Sequence, residues 1–347
     1  SDAGGFGDDG EESIIKCGSY TGNGTSSNYI DFGFEPQWLL VKNATTGSTP
    51  WLMLDNMRGW PAAPTSAQQE LTANTYNAES TGSNVGITST GIGITTSATP
   101  INKSGDNYIY MAIRRPMKTP ESGTEVFAPV AWTGNGAANR VITGAGFTPD
   151  LFFENTRTNA ANYWNNYDRL RGVGQALRSY TSTAETAGTS YGMSEFGMDG
   201  HTLGSSDGSA GGYNESSKTA FAYYFKRATG FMDVVAYTGV GNFRVLPHNL
   251  GVPPELIIGK RRNNSSAGWS IASDFAGASG WSYLTFNNGS EQVYSYGSML
   301  SSPPAATSLY FWGGDFNDSS ADHIAYLFAT LAGVSKVGSY TGTGSNV

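Results

Sequence analysis

Hydrophobic and polar residues alternate in short runs along this chain, and the apolar runs are brief. Trp38 to Val41 and Leu151 to Phe153 are typical, and stretches rich in Gly, Ser, Thr and Asn separate such runs. The 3.6-residue period of an amphipathic helix is nearly absent, with residues 65–78 as the candidate for a short helix. Short strands separated by turn-forming clusters predict antiparallel β-sandwiches.

A motif made of an aromatic residue followed by Thr-Gly-x-Gly recurs along the chain. Its copies are Tyr20 to Gly24, Trp132 to Gly136, Tyr237 to Gly241 and Tyr340 to Gly344. Self-similarity at a nearly fixed spacing is the signature of a repeat architecture. Because glycine adopts positive φ with little steric cost, we expect a hairpin turn at each copy.

Further landmarks follow each motif in the same register. They are a Gly-x-x-Pro corner, an apolar strand, a tryptophan and a closing aromatic strand. The prolines are Pro36, Pro149 and Pro254, and the tryptophans are Trp51, Trp164 and Trp269. Two copies then carry Asp-x-x-Arg-Gly, at Asp55 to Gly59 and Asp168 to Gly172, whereas the third keeps Asp274 and Gly277 and replaces the arginine by Ala276.

The landmarks divide the chain into tandem domains. We expect an acidic, glycine-rich linker over residues 1–16, then repeat 1 (17–125), repeat 2 (126–233), repeat 3 (234–335) and the opening of a fourth repeat (336–347). Each repeat is predicted to be a jelly-roll-like β-sandwich. One domain's last strand runs almost directly into the next domain's first strand, which predicts a rod. The incomplete fourth copy indicates an excerpt of a longer protein.

Composition and charge exclude several classes of function. The net charge is −8 and only 14% of residues are charged, so a nucleic-acid binder with basic stripes is disfavoured. The single cysteine, Cys17, forms no internal disulfide. No apolar run approaches the ~20 residues of a membrane helix. We therefore expect that the protein neither binds nucleic acid nor inserts into a membrane.

Candidate chemical residues are few and scattered. His201, His248 and His323 stand at non-equivalent positions without a second ligand at metal-binding spacing. Gly204 to Gly208 matches the nucleophile-elbow pattern but lies in a Gly/Ser-rich stretch, where a loop is the better interpretation. Asp315, Asp318 and Asp322 suit Ca²⁺ by ligand type, yet solvated loop acids are favoured. We nominate no catalytic, cofactor-binding or metal-binding residue.

The Asp55–Arg58 and Asp168–Arg171 pairs resemble catalytic pairs, but their repetition favours a structural turn. The repeated tryptophans are predicted to pack inward, because they keep register with the core strands. Trp60, Trp281 and Trp312 do not recur in register, and we nominate them as exposed contact residues.

The whole set of landmarks resembles a known family of repeat domains. The residues that carry the resemblance are Tyr20 to Gly24, Gly33 to Pro36, the apolar strand ending in Lys42-Asn43, the Trp-x-x-x-Asp element, Tyr108 to Lys118, and Gly338 to Gly342. This family occurs in virion structural and tail-fibre-like proteins of marine phages that infect cyanobacteria and pelagic bacteria. The resemblance implies a concanavalin-like or jelly-roll sandwich and a place on the virion, and carries no catalytic residues.

The leading hypothesis is a non-enzymatic virion protein of a tail fibre or head fibre, with a role in host attachment. Its expected partners are further copies of itself, as in a homotrimer, other virion proteins and host surface glycans. One alternative is an array of carbohydrate-binding modules on a bacterial surface or a secreted adhesin. Another is a polysaccharide depolymerase, which needs paired carboxylates that the sequence does not identify.

Overall fold

The computed structural model of the chain is all-β. It describes residues 14–62, 68–82, 84–158, 164–187, 192–204, 212–263, 268–273, 281–286, 288–294, 299–340 and 342–344. Within these ranges the regular elements are strands and two short 3₁₀ helices.

The strands fall into three successive sets, which we call repeats 1, 2 and 3 from here on, so that repeat 3 begins at Met232, the first residue of its first strand. The first set is β1 (Ile15–Thr21), β2 (Asn28–Asp31), β3 (Pro36–Asn43), β4 (Trp51–Asp55), β5 (Gln69–Thr72), β6 (Ser80–Thr81), β7 (Val85–Thr88), β8 (Gly91–Ile94) and β9 (Asn107–Arg114). The second set, after a 3₁₀ helix at Gly123–Glu125, is β10 (Phe127–Thr133), β11 (Val141–Thr143), β12 (Leu151–Thr156), β13 (Asn165–Asp168), β14 (Gln175–Arg178), β15 (Thr186–Ala187), β16 (Met193–Phe196), β17 (Gly200–Leu203) and β18 (Thr219–Phe225). The third set is β19 (Met232–Thr238), β20 (Arg244–Pro247), β21 (Leu256–Arg261), β22 (Ser270–Ser273), β23 (Trp281–Thr285), β24 (Asn288–Tyr294), β25 (Ser308–Phe311), a 3₁₀ helix at Gly314–Phe316 and β26 (Asp322–Phe328).

Each set builds one large and one small antiparallel sheet; the three large sheets share one connectivity, and the small sheet of the third set has two strands where the others have three. The large sheets have the orders β1-β9-β3-β4-β5-β6, β10-β18-β12-β13-β14-β15 and β19-β26-β21-β22-β23-β24. The small sheets are β2-β8-β7, β11-β17-β16 and β20-β25. The sequence prediction of all-β, sandwich-like domains is confirmed. The expected helix in residues 65–78 is wrong for Gln69–Thr72, which is strand β5.

The first and last strands of each set lie side by side. Ile15 pairs with Ile113, Phe127 with Phe225, and Met232 with Phe328. The large and small sheets of a set enclose a separate core, with Trp60, Tyr224 and Trp281 among the buried side chains of the three cores. Each sandwich is therefore closed by residues from its two ends.

The Thr-Gly-x-Gly motif forms a corner between sheets, and the predicted hairpin is wrong. β1 belongs to a large sheet and β2 to a small one, so the chain crosses from one layer to the other at this point. A Cβ on Gly22 would lie 2.3 Å from the carbonyl oxygen of Lys103, and Gly24 has φ +66°. Close backbone approach and positive φ explain the two glycines.

The aromatic residue that opens each motif makes the same contact in repeats 1, 2 and 3. Tyr20 Oη donates to the carbonyl of Ile101 at 2.7 Å, Trp132 Nε1 to that of Tyr213 at 2.7 Å, and Tyr237 Oη to that of Phe316 at 2.5 Å. Burial raises the pKa of both tyrosines, which keeps their hydroxyls protonated as donors. An asparagine comes directly after each of these three carbonyl acceptors in the sequence. The side-chain oxygens of Asn102, Asn214 and Asn317 each accept a hydrogen bond from a backbone N–H of the Gly-x-Gly segment.

The repeated tryptophans lie on the outer faces of the large sheets, so the predicted inward packing is wrong. Trp51 pairs with Lys42, whose neighbours Val41 and Asn43 point to the opposite face. Trp164 stacks against Tyr223, whose side chain lies outside the repeat 2 core. Trp269 is only 1% exposed, but it belongs to a cluster shared by two repeats rather than to the core of repeat 3.

That shared cluster joins repeats 2 and 3 through the outer faces of their large sheets. Repeat 2 contributes Leu151, Phe153, Leu177 and Phe225, and repeat 3 contributes Met232, Val234, Trp269, Ile324 and Tyr326. Aromatic contacts cross the interface, with ring centroids 6.3 Å apart for Phe153–Tyr326 and 6.0 Å apart for Phe225–Phe328. We call this interface the shared face. A rod of stacked repeats stays a prediction.

Candidate functional site

The Asp-x-x-Arg-Gly elements are turns closed by their own charges, as the sequence predicted. Arg58 Nε lies 2.5 Å from Asp55 Oδ2, and the Arg58 amide donates to Asp55 Oδ1 at 2.9 Å. Arg171 and Asp168 repeat both contacts at the same distances. Since each aspartate binds its turn from both sides, these pairs are structural. The third copy, residues 274–277, lies outside the described residues.

The three histidines are buried and separated. His201 Nδ1 lies 2.7 Å from Tyr224 Oη inside repeat 2, and His248 Nε2 lies 3.1 Å from the carbonyl of Ala305. His323 stacks on Tyr237 with ring centroids 5.1 Å apart. Burial lowers the pKa of His248, and it lowers that of His323 to about 4. Each histidine therefore serves the packing of its own surroundings.

An arginine binds two of the three acidic residues of repeat 3 that were considered as calcium ligands. Arg261 binds Asp315 at 2.7 Å and Asp318 at 2.7 Å, while Asp322 accepts a hydrogen bond from Thr238. Among the described residues, no group of three or more His, Cys, Asp or Glu side chains is placed to hold a metal ion. Most of the elbow-like segment, residues 205–208, lies outside the described residues.

The structure separates the three nominated contact tryptophans. Trp60 is fully buried in the core of repeat 1 and donates its indole N–H to the carbonyl of Val85 at 2.9 Å. Trp281 is buried in the core of repeat 3. Exposed contact is therefore wrong for Trp60 and Trp281, because both fill the space between two sheets. Trp312 is 50% exposed, and its role as a contact residue stays a prediction.

An exposed aromatic patch surrounds Trp312 on the outer side of the small sheet in repeat 3. Trp312 and Phe243 are neighbours with ring centroids 6.4 Å apart and ring planes tilted by 52°, and Phe243 is likewise exposed. Val245 and Tyr310 continue this side of the sheet as a cross-strand pair. We call these four residues the Trp312 patch. Exposed rings of this kind provide flat apolar surface for a ligand.

A polar cleft of about 290 Å³ lies between repeats 1 and 2. Its charged lining residues are Arg58, Glu79, Arg169 and Glu195. Arg58 binds Glu79 at 2.8 Å, and the Arg169 guanidinium lies 4.8 Å from the ring centroid of Phe196. Burial lowers the pKa of Arg169 to about 10. Both basic groups of the cleft are thus held by contacts within the protein.

A buried cluster of charges joins all three repeats, and we call it the junction. Arg227 donates to both carboxylate oxygens of Glu35 at 2.6 Å, and its Nε donates to Asp233 at 2.7 Å. Its backbone N–H binds Asp150, which also binds Arg115 at 2.5 Å. Bidentate guanidinium–carboxylate pairs are among the strongest polar contacts in proteins.

The junction charges depend on one another because they are buried. Burial alone would raise the pKa of Asp150, but the nearby Arg115 and Arg227 outweigh it and hold that pKa below its usual value. Burial would lower the pKa of Arg227, yet Asp233 and Glu35 raise it well above its usual value. Asp150 and Arg227 therefore stay charged at neutral pH.

Polar contacts also cross the shared face. Tyr326 Oη donates to Asp168 Oδ2 at 2.8 Å, and Trp269 Nε1 donates to the carbonyl of Arg178 at 2.8 Å. Arg262 binds Glu185 through two bonds of 2.9 and 3.0 Å. Lys260 Nζ donates to the carbonyl of Ser182 at 3.0 Å. Burial, and to a smaller extent repulsion from Arg261, lowers the pKa of Lys260 to about 8.

The sequence matches the family described as "Domain of unknown function (DUF7483)" over residues 11–116 and 122–346. The chain belongs to the DUF7483 family. No curated protein matches this DUF7483 chain. Within its described residues, no helix has the length and apolar character needed to cross a membrane.

Sequence reasoning missed two sets of residues in this DUF7483 chain. Asn102, Asn214 and Asn317 each stand five residues before the first residue of their closing strand, a regular spacing that could have revealed them. The junction offers one partial signal, since Arg115 and Arg227 each stand two residues after the corresponding residues Ile113 and Phe225, but Glu35 and Arg227 are 192 positions apart. The repeated features thus maintain the fold, whereas the contact between Glu35 and Arg227 forms only when repeats 1 and 2 meet.

Proposed function

We propose that this DUF7483 chain is a non-enzymatic structural protein of a virion appendage, either a tail fibre or a head fibre. The observation that carries the proposal is the junction, which binds three sandwiches together through buried ion pairs at Arg227 and Asp150. Fixed contacts between domains suit a protein that transmits force or spans distance. The motif-level resemblance to virion repeat domains supports the same role.

The placement of charged groups also favours a structural role. The two pairs that resemble catalytic pairs, Asp55–Arg58 and Asp168–Arg171, close turns. Arg261 engages Asp315 and Asp318, which removes them as free carboxylates. Glycoside hydrolysis requires two carboxylates on either side of a substrate, and these groups are engaged elsewhere.

Purified virions provide the direct test. We expect antibodies raised against the chain to label an appendage in electron micrographs, and we expect the protein to copurify with virions through a density gradient. Virions that lack the protein, together with free protein in the lysed host, would contradict the proposal. Release of reducing sugars from host polysaccharide by the purified chain would contradict its non-enzymatic character.

A second candidate function is glycan binding at the Trp312 patch. The specific observation is that Trp312 and Phe243 are both exposed and adjacent, so two rings form a platform on which a sugar can stack. The same surface would give an appendage its contact with a host, or would serve an adhesin outside a virion.

Glycan arrays distinguish this second function. We expect the unmodified chain to bind a subset of surface polysaccharides and Trp312→Ala to reduce binding at least tenfold. Tyr76→Ala is the matched control, because Tyr76 is an exposed aromatic residue far along the chain from the patch. Equal binding by all three proteins, or no binding by the unmodified chain, would remove this candidate.

A further inference from the structure

The outer face of the large sheet in repeat 1 is apolar across five strands. Its side chains are Ile15 and Cys17 on β1, Ile109, Met111 and Ile113 on β9, Trp38 and Leu40 on β3, Trp51 and Met53 on β4, and Leu71 on β5. One cross-strand row runs Cys17, Met111, Leu40, Met53 and Leu71 without a polar residue. We call these ten residues the open face.

The open face is partly accessible to solvent, with three exposed and seven half-buried side chains. Ile15 is 55% exposed and Ile109 is 43% exposed, and Cys17 is exposed as well. None of the ten side chains belongs to any of the four buried clusters formed by the described residues. A contiguous apolar surface of this kind marks an interaction site on a folded protein.

The strand register makes the open face equivalent to the shared face. Lys42 pairs with Ile109 next to the closing strand of repeat 1, as Lys260 pairs with Ile324 in repeat 3. Trp51 pairs with Lys42, and Trp269 directly precedes Ser270, which pairs with Gly259. Trp51 and Trp269 therefore occupy corresponding positions, as do Lys42 and Lys260.

The corresponding lysines also make corresponding contacts. Lys42 Nζ donates to the carbonyl of the next residue, Asn43, at 2.7 Å, and Lys260 Nζ donates to that of Arg261 at 2.8 Å. Lys260 makes one additional bond, to Ser182 across the shared face. The Lys42 ammonium is thus already folded back along its strand, in the arrangement that Lys260 has when the face is covered.

The charges at the border of the open face are satisfied before any partner arrives. Lys42 Nζ also donates to Thr49 Oγ1 at 2.8 Å, and Asp55 is bound by Arg58. Covering the face therefore buries apolar side chains without leaving a bare charge, which would otherwise be costly.

The size of the open face reaches the lower limit for a specific interface. Five strands at ~4.8 Å spacing and three side-chain rows about 7 Å apart cover about 24 Å by about 20 Å. That is on the order of 500 Å² in plan on each side, so two copies reach the ~1,000 Å² of a specific interface.

We propose that the open face binds the open face of a second copy of this chain, which gives a symmetric dimer with the two sheets face to face. The shared face establishes, within one chain, that large sheets of this family pack by these outer faces. A second copy supplies the same apolar surface, and an isologous contact of this kind closes after two subunits. The dimer does not depend on the proposed virion location.

The test combines the molar mass of the protein in solution with the chemical accessibility of Cys17. We expect light scattering after gel filtration to give twice the mass of one chain at tens of micromolar, and we expect monomers on dilution. Cys17, the single cysteine, reports on the face directly. Its reaction with a maleimide should slow at least tenfold as the protein concentration rises into the dimeric range.

A paired substitution separates this face from general surface effects. Ile15→Glu with Ile109→Glu should weaken association roughly 100-fold or more, because the carboxylates would lose water on association. Val141→Glu with Val240→Glu adds the same charge at positions that are 61% and 46% exposed, and should leave the dimer intact. Circular dichroism checks that both double variants remain folded.

Three outcomes would overturn the proposal. One is a chain that stays monomeric at 100 μM. Another is an oligomer that the Ile15→Glu, Ile109→Glu variant does not weaken. The last is a Cys17 labelling rate that is independent of concentration, which would mean that the face is either permanently open or covered by another part of the same chain.

Discussion

The shared face and the open face are built from the same strand positions, yet one is buried and the other is partly exposed. Trp269 and Trp51 correspond, but Trp269 is almost fully buried between two sheets, whereas Trp51 is only partly covered. Each sandwich closes its own inner core. The outer apolar face needs a second sheet, and repeat 1 lacks one within the described part of the chain.

The difference teaches that two kinds of contact hold the repeats together. The junction joins all three repeats through charges, and the shared face joins chiefly repeats 2 and 3 through apolar packing, with Ala62 of repeat 1 at its edge. Variants at the junction should therefore affect the whole chain, whereas variants at the shared face should affect repeats 2 and 3.

Loss of the central junction arginine should have the largest effect. Arg227→Met removes the partner of Glu35 and Asp233 and should lower the free energy of unfolding by about 3–5 kcal/mol, because buried carboxylates are left without a counter-charge. Urea unfolding measures the change. Lys118→Met is the control, since the Lys118–Glu121 pair is exposed and should contribute less than about 1 kcal/mol. Equal effects of the two substitutions would contradict the importance of the junction.

The two corresponding tryptophans give the sharpest test of the comparison. Trp269→Ala should lower the free energy of unfolding by about 3 kcal/mol, because it opens a cavity in a buried cluster. Trp51→Ala should cost about 1 kcal/mol in monomeric protein, because its side chain is only partly covered. Denaturant unfolding at a dilution that prevents association measures both. If Trp51→Ala lowered the free energy of unfolding more than Trp269→Ala, the assignment of the buried and the partly exposed face would be reversed.

Acid should weaken the contacts between repeats. The pKa of Asp150 is held low by Arg115 and Arg227 and that of Glu185 by Arg262 and Arg171, in both cases against the effect of burial. A depressed carboxyl pKa stabilises the fold above the unfolded value of about 4, and this stabilisation is lost as pH falls through the folded value.

We therefore expect calorimetry to show a falling melting temperature from pH 5 to pH 3. Glu185→Gln should have a lower melting temperature at pH 5 and a shallower decline, because the carboxyl that titrates is absent. Identical curves for the variant and the unmodified chain would exclude Glu185 as a contributor.

Mild alkali should have the smallest effect, and it should act through the shared face. Burial lowers the pKa of Lys260 to about 8, below the usual value of 10.5. Between these values the unfolded chain binds a proton that the folded chain has lost, so stability rises with pH, by no more than about 1.4 kcal/mol per pH unit.

Unfolding experiments between pH 8 and 9 test this rise. It should disappear in Lys260→Met and persist in Lys42→Met, which retains Lys260. A rise of the same size in both variants would assign it to another group.

Much of the fold could be predicted because its signals are local or periodic. The Thr-Gly-x-Gly copies, the prolines and the Asp–Arg turns repeat in register, and the structure confirms sandwich-like domains with closed turns at Asp55 and Asp168. The alternation of apolar and polar residues does not predict on which face of the sheet Trp51 lies, because the neighbouring strand β3 carries apolar side chains toward both faces. An apolar residue that faces a partner resembles one that faces a core.

The surface features were harder to predict for the same reason. Trp60 and Trp281 were expected to be exposed because they do not recur, but recurrence reports on shared architecture and not on burial. The junction depends on residues far apart in the chain that meet only after three domains have assembled. Only physical proximity makes Asp150 a partner of Arg227.

The pairing of first and last strands has a consequence for synthesis on the ribosome. Strands β3, β4 and β5 can pair with one another early, but Ile15 lies against Ile113, so about one hundred residues must emerge before β1 gains its partner strand β9. At about 5–20 residues per second, the nascent chain waits roughly 5–20 s for that strand. During translation, each repeat therefore closes only when its last strand leaves the exit tunnel, and the repeats mature one after another.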